Sequence, residues 1–262
     1  MNVSLIQTTL HWEEREKNLS HFDTLINRIE EPTDLIVLPE MFTTGFTMNP
    51  EKVAENWNRQ TLAWMKKKAH EKNCVITGSV AVEEEGKYYN RLFWVKPGGD
   101  FSSYNKRHLF RMAKEDQHYA TQGSRLVENI KGWNICPLVC YDLRFPVWSR
   151  NRFNKTSATW DYDVLIYVAN WPEVRNYPWK QLLVARAIEN QCYVIGLNRV
   201  GTDGNGYDYS GDSALINPRG EIISTMKAHE EKTETLTLSK DHLDEFRKLF
   251  PVGLDADDFK LL

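Results

Sequence analysis

Apolar runs alternate with amphipathic stretches along the whole chain. These runs predict strands, and the near-continuous ones, such as Ile36–Leu38 and Leu165–Val168, predict strands that are buried on both faces. The apolar runs are Val3–Gln7, Leu35–Leu38, Cys74–Val82, Tyr88–Val95, Trp133–Cys140, Val164–Ala169, Tyr193–Asn198, Ser213–Ile216 and Thr233–Leu238. The amphipathic stretches repeat apolar residues at intervals of three and four, which predicts helices with one buried face. They are Glu13–Glu30, Gln60–Glu71, Tyr177–Asn190 and the shorter Phe145–Arg152.

Strands that alternate with helices are typical of an α/β domain in which helices cover the sheets. Turn residues at Glu83–Lys87 and Pro218–Gly220 predict hairpins within this pattern. No repeat, low-complexity tract or linker interrupts it, so the sequence predicts one domain over residues 1–262. Residues 252–262 form a short acidic tail, and its apolar tip predicts docking rather than a free end.

Composition excludes several classes of function. The chain has 262 residues, 41% of them hydrophobic, and a formal net charge of −3, so its charge gives no reason to bind nucleic acid or an acidic membrane. No apolar run reaches the roughly 18 residues that a membrane-spanning helix needs. The N-terminal segment turns polar too early for a signal peptide, which predicts a cytoplasmic protein. Four scattered cysteines and seven unclustered histidines predict neither a disulfide framework nor a metal site, and we expect no cofactor.

The first candidate for chemistry is Cys140. An apolar run ends at this residue and gives way to the polar turn Tyr141–Arg144. A strand end holds a sulfur atom still, and the N–H groups of the following turn point towards whatever the sulfur attacks. A free cysteine is more commonly an inert core residue, so the interpretation depends on the rest of the chain.

Two further groups complete a reactive set. Glu40 ends the apolar run at Leu35–Leu38, and Lys106 follows a Gly-Gly turn just before an apolar pair. A carboxylate can take the thiol proton, a lysine can stabilise an oxyanion and lower the thiol pKa, and a cysteine can carry the acyl group. The set predicts thiol-dependent acyl transfer, although a glutamate or a lysine alone is more commonly a solvated surface charge.

Three segments, in this order, resemble the carbon–nitrogen hydrolase (nitrilase) superfamily. They are Leu38-Pro39-Glu40, Lys106-Arg107-His108-Leu109-Phe110 and Cys140-Tyr141-Asp142-Leu143-Arg144-Phe145-Pro146. The resemblance implies a four-layer α-β-β-α sandwich, which periodicity alone does not supply. It implies that Glu40 is the general base, that Cys140 is the nucleophile, and that Lys106 and the N–H of Tyr141 hold the oxyanion.

The same resemblance implies a second, supporting glutamate between the lysine and the cysteine. Glu115 is the candidate, and the adjacent Asp116 stays open because spacing does not separate them. We expect Asp142 and Arg144 to form a buried pair that fixes the turn, since arginine is poorly suited to proton transfer. His108 and His118 are expected to be structural, because the Glu-Lys-Cys set accounts for the thiol without a Cys-His dyad.

Within the superfamily, two segments resemble the omega-amidase branch, which hydrolyses 2-oxoglutaramate or 2-oxosuccinamate. They are Glu40–Phe46 and Ala169–Pro172. A substrate with a free carboxylate needs a cation, and Arg175 is the candidate, with Trp171 and Tyr177 beside it. The same catalytic residues also serve nitrilases and N-carbamoyl amidohydrolases, and a binding protein that lost the chemistry is a further alternative.

The resemblance also implies a homodimer or a higher homo-oligomer. We expect the helices after the nucleophile, near Phe145–Arg152 and Tyr177–Asn190, to form the interface. The apolar tip of the tail, at Phe259, Leu261 and Leu262, is expected to dock on the partner subunit.

Overall fold

Two β-sheets packed face to face organise the protein, and the computed structural model describes residues 1–56 and 59–257. The first sheet contains β1 (Asn2–Gln7), β2 (Leu35–Val37), β3 (Glu55–Asn56), β4 (Val75–Glu84), β5 (Lys87–Val95), β6 (Phe101–Asn105) and β16 (Lys232–Thr237). The second contains β7 (Glu128–Ile130), β8 (Trp133–Val139), β11 (Val164–Ala169), β12 (Tyr193–Asn198) and β15 (Ala214–Ile216). The central strands of each sheet, β1-β2-β4 and β8-β11-β12, are parallel, and antiparallel strands flank them.

Helices and short ribbons connect these strands. The helices are α1 (Arg15–Asn27), α2 (Pro50–Val53), α3 (Gln60–Lys72), α4 (Glu115–His118), α5 (Pro146–Ser149), α6 (Asn176–Asn190) and α7 (Lys240–Leu249). Short 3-10 helices cover Arg111–Ala113, Cys140–Arg144, Glu173–Arg175 and Val252–Leu254. Two ribbons pair β9 (Phe153–Asn154) with β10 (Thr159–Trp160), and β13 (Val200–Thr202) with β14 (Asp208–Ser210). No helix in the described part of the chain is both long and apolar enough to span a bilayer.

The alternation of side chains along each strand explains the layers. Val3 and Leu5 of β1 lie in the core between the two sheets, whereas Ile6 lies in a second core with Phe22 of α1. On the opposite side of the molecule, Leu183 of α6 packs against the second sheet. Helices therefore cover the outer face of each sheet, which confirms the predicted four-layer α-β-β-α sandwich.

Most predicted elements are present, and the differences have local causes. The predicted helix Glu13–Glu30 begins later, because Glu13 has a φ of 56°, which an α-helix does not accommodate. The predicted helix Phe145–Arg152 is reduced to α5, since the chain leaves the helical region at Arg150. The sequence did not predict β6, because this edge strand carries Ser102 and Ser103 between its apolar residues.

The ends of strands from both sheets meet at one place. The parallel strands β8 and β11 pair Val139 with Val168, so the residues that follow both strands are neighbours. The segment after β2 and the end of β6 approach the same point from the first sheet. The fold therefore brings four separate chain segments together at the carboxyl ends of its strands, where α/β sheets commonly bind ligands.

Candidate active site

Cys140 lies at a strained turn between β8 and the 3-10 helix Cys140–Arg144. Its φ is 45°, in the left-handed region that residues with a side chain rarely adopt. The residue is 8% exposed, and it lines a cavity. Because Tyr141 is the second residue of the 3-10 helix, its N–H has no acceptor within the helix and is free for a ligand.

Lys106 lies between two carboxylates, and all three side chains are fully buried. Its Nζ is 2.9 Å from Glu40 Oε1 and 2.9 Å from Glu115 Oε2. A backbone N–H, that of Phe110, donates to Glu115 Oε2 at 2.6 Å. The structure therefore brings Glu40, Lys106, Glu115 and Cys140 together, as the sequence predicts for the four catalytic candidates. Asp116 instead pairs with Arg111 at 2.6 Å on the surface.

The buried charges shift each other's pKa values. Burial would lower the pKa of Lys106, but the charges of Glu115 and Glu40 outweigh it and hold that pKa above its ordinary value. Burial raises the pKa of Glu115, and the lysine offsets this only in part. The raised pKa favours the protonated form of the lysine.

The pKa of the Cys140 thiol lies above its ordinary value. Burial raises the pKa of Cys140, the charge of Glu40 raises it further, and the charge of Lys106 compensates only partly. Lys106 does lower this pKa, as expected, but burial and the charge of Glu40 outweigh its effect, and the lysine charge is shared with two carboxylates. Cys140 rests as a neutral thiol and needs a base at the moment of reaction.

Two asparagines hold Glu40, and neither role was predicted from the sequence. The backbone N–H of Asn170 donates to Glu40 Oε2 at 2.7 Å, and its side-chain amide donates to the backbone carbonyl of Glu40. The side-chain amide of Asn90 donates to Glu40 Oε1 at 2.8 Å. A signal was present, since Asn90 is a polar residue within the predicted strand Tyr88–Val95, where burial requires a partner.

Asp142 ties the nucleophile turn to the lysine segment. Its Oδ2 accepts hydrogen bonds from the Tyr104 hydroxyl at 2.8 Å and from the Val139 N–H at 3.1 Å. Its Oδ1 accepts from the backbone N–H of His108 at 3.0 Å and lies 2.7 Å from His108 Nδ1. The predicted Asp142–Arg144 pair is therefore wrong, because other donors occupy both oxygens of the aspartate.

Arg144 instead turns towards the cavity that opens at Cys140. Its guanidinium carbon lies 5.2 Å from the centre of the Trp171 ring, and no carboxylate of the described residues pairs with it. The cavity has a volume of about 620 Å³, and seven of its seventeen lining residues are aromatic. Arg144, Trp171 and Arg175 are among the lining residues. A cation without a counter-charge beside the nucleophile is suited to bind an anionic group.

The three residues predicted to bind substrate have different positions. Trp171 is buried in the cavity wall, and its indole N–H donates to the backbone carbonyl of Arg175 at 2.8 Å. Arg175 lies over the Phe110 ring at 5.5 Å and also lines the cavity. Tyr177 is 71% exposed and does not contribute to the wall. In the described ranges, no group of three or more His, Cys, Asp or Glu side chains is arranged to hold a metal ion.

Comparisons with known proteins find related amide hydrolases. A sequence profile described as carbon–nitrogen hydrolase matches residues 2–248. The omega-amidase YafV of Escherichia coli (strain K12) is 50% identical over 262 residues, which cover 100% of this chain and 98% of the relative. The 2-oxoglutaramate amidase of Bacillus subtilis (strain 168) is 32% identical over 225 residues, which cover 85% of each protein.

A solved structure shows the same similarity in three dimensions. XC1258 from Xanthomonas campestris, a CN-hydrolase superfamily protein with an arsenic adduct in its active site, is 42% identical to this chain. It superposes with a TM-score of 0.97 over 100% of this chain and 99% of that one.

The charge of Glu40 gives a testable prediction about the thiol. We expect Glu40→Gln to lower the pKa of Cys140, because the substitution removes a raising charge and leaves the lowering charge of Lys106. Alkylation by iodoacetamide, followed by peptide mass spectrometry against pH, is then expected to begin at lower pH than in the wild type. Glu55→Gln, at a glutamate in the separate strand β3, is the control and should leave the profile unchanged. An unchanged or higher midpoint in Glu40→Gln would contradict the electrostatic account.

Proposed function

We propose that this chain, which belongs to the carbon–nitrogen hydrolase family and acts on amides, hydrolyses small primary amides that carry a free carboxylate. The reaction passes through a thioester on Cys140. The substrates we favour are 2-oxoglutaramate and 2-oxosuccinamate, which yield a 2-oxo-dicarboxylate and ammonia. The observation that supports the substrate class most directly is the unpaired guanidinium of Arg144 in the cavity that reaches the thiol.

In the first step, Cys140 attacks the amide carbon. Glu40 takes the S–H proton as the sulfur lone pair forms the C–S bond, and the carbonyl electrons move onto oxygen. That oxygen accepts hydrogen bonds from Lys106 Nζ and from the N–H of Tyr141. An ammonium has three N–H bonds, and two of them serve Glu40 and Glu115, so the third remains for the oxyanion.

The second and third steps use the same carboxyl group. The protonated Glu40 gives its proton to the amide nitrogen as the C–N bond breaks, and ammonia leaves a thioester behind. A water then loses a proton to Glu40 and attacks the thioester, after which the C–S bond breaks and the sulfur regains the proton. Glu115 keeps Lys106 in place, because two of its oxygens contact Nζ.

Arg144 supplies a physical reason for a carboxylate-bearing substrate. A planar guanidinium can bind a carboxylate through two parallel hydrogen bonds, and that of Arg144 lies over the Trp171 ring, 5.2 Å from its centre. Arg175 is a second cation in the same wall, and its Nη2 lies 3.0 Å from Met112 Sδ. Nitriles and N-carbamoyl compounds remain alternative substrates of the same catalytic residues. A protein without activity would not need a strained cysteine beside a buried base.

The thioester mechanism makes Cys140 indispensable. We expect Cys140→Ala to abolish ammonia release and Cys140→Ser to reduce it by at least about a thousandfold, because a hydroxyl is a far weaker nucleophile at neutral pH. Rapid quenching of the wild type during turnover should give the mass of an acyl adduct on the Cys140 peptide. Full turnover in either variant would refute the thiol mechanism.

The role of Arg144 predicts a change in selectivity. We expect Arg144→Gln to lower kcat/KM for 2-oxoglutaramate by roughly 10²-fold, mostly through KM, because it removes a charge-assisted contact. An uncharged primary amide of the same length, lacking the carboxylate, should change by only a few fold. Arg175→Gln is the matched comparison and tests whether the second arginine also binds the carboxylate of the substrate. Equal losses on charged and uncharged amides would contradict the assignment, and a preference for nitriles in the wild type would exclude the substrate class.

We also propose that the protein forms a homodimer through the helices after the nucleophile. Val147 of α5 and Tyr177 of α6 are large apolar side chains that are 51% and 71% exposed on this side of the molecule. Their burial against a second copy would protect the turn that carries Cys140. The tip of the tail, with Phe259, Leu261 and Leu262, lies outside the described residues.

The dimer prediction is tested by light scattering at micromolar concentration. We expect a mass of at least twice the 30.6 kDa of one chain, with an interface near the roughly 1,600 Å² of stable complexes. Tyr177→Glu should move the mass towards one chain, because it places a charge in an apolar interface. Val127→Glu, at an exposed position near β7, is the control and should not. A wild-type mass of 30.6 kDa would exclude the dimer.

A further inference from the structure

We propose that Asn90 is a positioning residue for amide hydrolysis. Its side-chain amide donates a hydrogen bond to Glu40 Oε1, which leaves Oε2 as the oxygen that takes the thiol proton. This inference rests on the thiol mechanism proposed above. It concerns a residue of the strand β5 that does not line the cavity and has no direct contact with substrate.

The contacts of Asn90 join three members of the buried cluster. Its Nδ2 donates to Glu40 Oε1 at 2.8 Å and is 3.3 Å from Glu115 Oε1. Its backbone carbonyl accepts the backbone N–H of Lys106 at 2.9 Å. The side chain is fully buried. One residue therefore sets the relative positions of both carboxylates and of the lysine between them.

Counting acceptors on Glu40 shows which oxygen is free to act as the base. Oε1 accepts from Asn90 Nδ2 and from Lys106 Nζ, which uses both of its lone-pair directions. Oε2 accepts a hydrogen bond from the backbone N–H of Asn170. Oε2 thus retains one lone pair for the proton that leaves the sulfur, while the S–H electron pair forms the new C–S bond.

The other end of the Asn90 amide supports this orientation. Its Oδ1 is buried and has no hydrogen-bond partner among the described residues. A buried acceptor without a partner destabilises a fold, so its presence calls for a compensating interaction. The reversed amide would place Oδ1 against both carboxylates, which is worse. The carboxylates therefore select the orientation that donates to them.

Charged and titratable groups surround Asn90 from each of the elements that pack around it. They are Glu40 after β2, Lys106 after β6, Glu115 in α4 and Cys140 after β8. Tyr119 and Tyr209 lie close enough to feel the charge of Glu40, and burial raises the pKa of both phenols. Their hydroxyls donate to the Thr47 carbonyl and to Asp203, so neither provides a proton to the cluster near neutral pH. Lys106 is the single cation among these groups.

Asn90→Asp tests the proposal through the pH profile, because the two side chains have nearly the same shape. Once ionised, the introduced carboxyl is a third buried anion beside one lysine, and it cannot donate to Oε1. Once protonated, it donates an O–H to Oε1 as the amide does. We expect kcat/KM at pH 8 to fall by roughly 10²-fold relative to the wild type. The loss of kcat/KM relative to the wild type should be at least about tenfold smaller at pH 5.5, because burial raises the pKa of the introduced carboxyl and keeps it protonated there.

Asn90→Ser removes the amide without adding a charge and covers the case in which Asn90→Asp does not fold. We expect kcat to fall with little change in KM, since Asn90 has no contact with substrate. Asn151→Asp is the control, because Asn151 is also buried and donates its amide to backbone carbonyls, but away from the cluster. It should lower the melting temperature without changing the shape of the pH profile.

The outcomes separate this proposal from the function on which it rests. If Asn90→Asp folds and its profile of kcat/KM against pH is parallel to that of the wild type, the positioning role is overturned. An Asn90→Ser variant whose kcat stays within about twofold of the wild type overturns it as well. Retained hydrolysis in Cys140→Ala overturns the thiol mechanism itself, and the assignment of Oε2 falls with it.

Discussion

The rest of the structure depends on one constraint, the burial of the Lys106 ammonium between two carboxylates. Removing an ion from water is costly, and the attraction between buried charges offsets that cost only with good geometry and full hydrogen bonding. No single element could provide this arrangement, since the three charges lie on different segments. The sandwich supplies it by letting strand ends from both sheets converge, so that Asn170 of the second sheet holds Glu40 of the first. Stability and chemistry thus require the same packing of sheet against sheet.

The same cluster explains why Cys140 rests as a neutral thiol. The lysine field is divided between two carboxylates, and burial acts against the thiolate. A permanent thiolate would react with any electrophile that entered the cavity, whereas a thiol next to a base becomes nucleophilic only as its proton moves. The strained φ of Cys140 and the hydrogen bonds of Asp142 keep the sulfur in place while it is uncharged. Position, rather than a lowered pKa, is therefore what prepares this cysteine.

Local sequence patterns predicted the central strands of both sheets, and the family resemblance supplied the four central side chains, but neither showed how those side chains are held. β11 and β12 have the bounds that their apolar runs indicate, because buried parallel strands leave an unambiguous pattern. Asn90 and Asn170 were missed, since their partners lie 50 and 130 residues away along the chain. Arg144 was assigned to Asp142 by proximity in sequence. The structure separates them because a 3-10 turn directs the two side chains to different sides, and donors from β6 and β8 reach the aspartate first.

The site divides its tasks between two layers. Glu40, Lys106 and Glu115 lie beneath the thiol and do not line the cavity, whereas Arg144 and Arg175 line it and have no carboxylate partner in the described chain. Under the mechanism proposed above, a substrate meets the cations and aromatic rings first and reaches the charged cluster through its carbonyl group. Asn170 and Phe110 belong to both layers, because they line the cavity and donate backbone N–H groups to Glu40 and Glu115. Arg144 and Arg175 contact aromatic rings and a methionine rather than the buried charges, so changes at these two positions can alter which amide binds without disturbing the cluster.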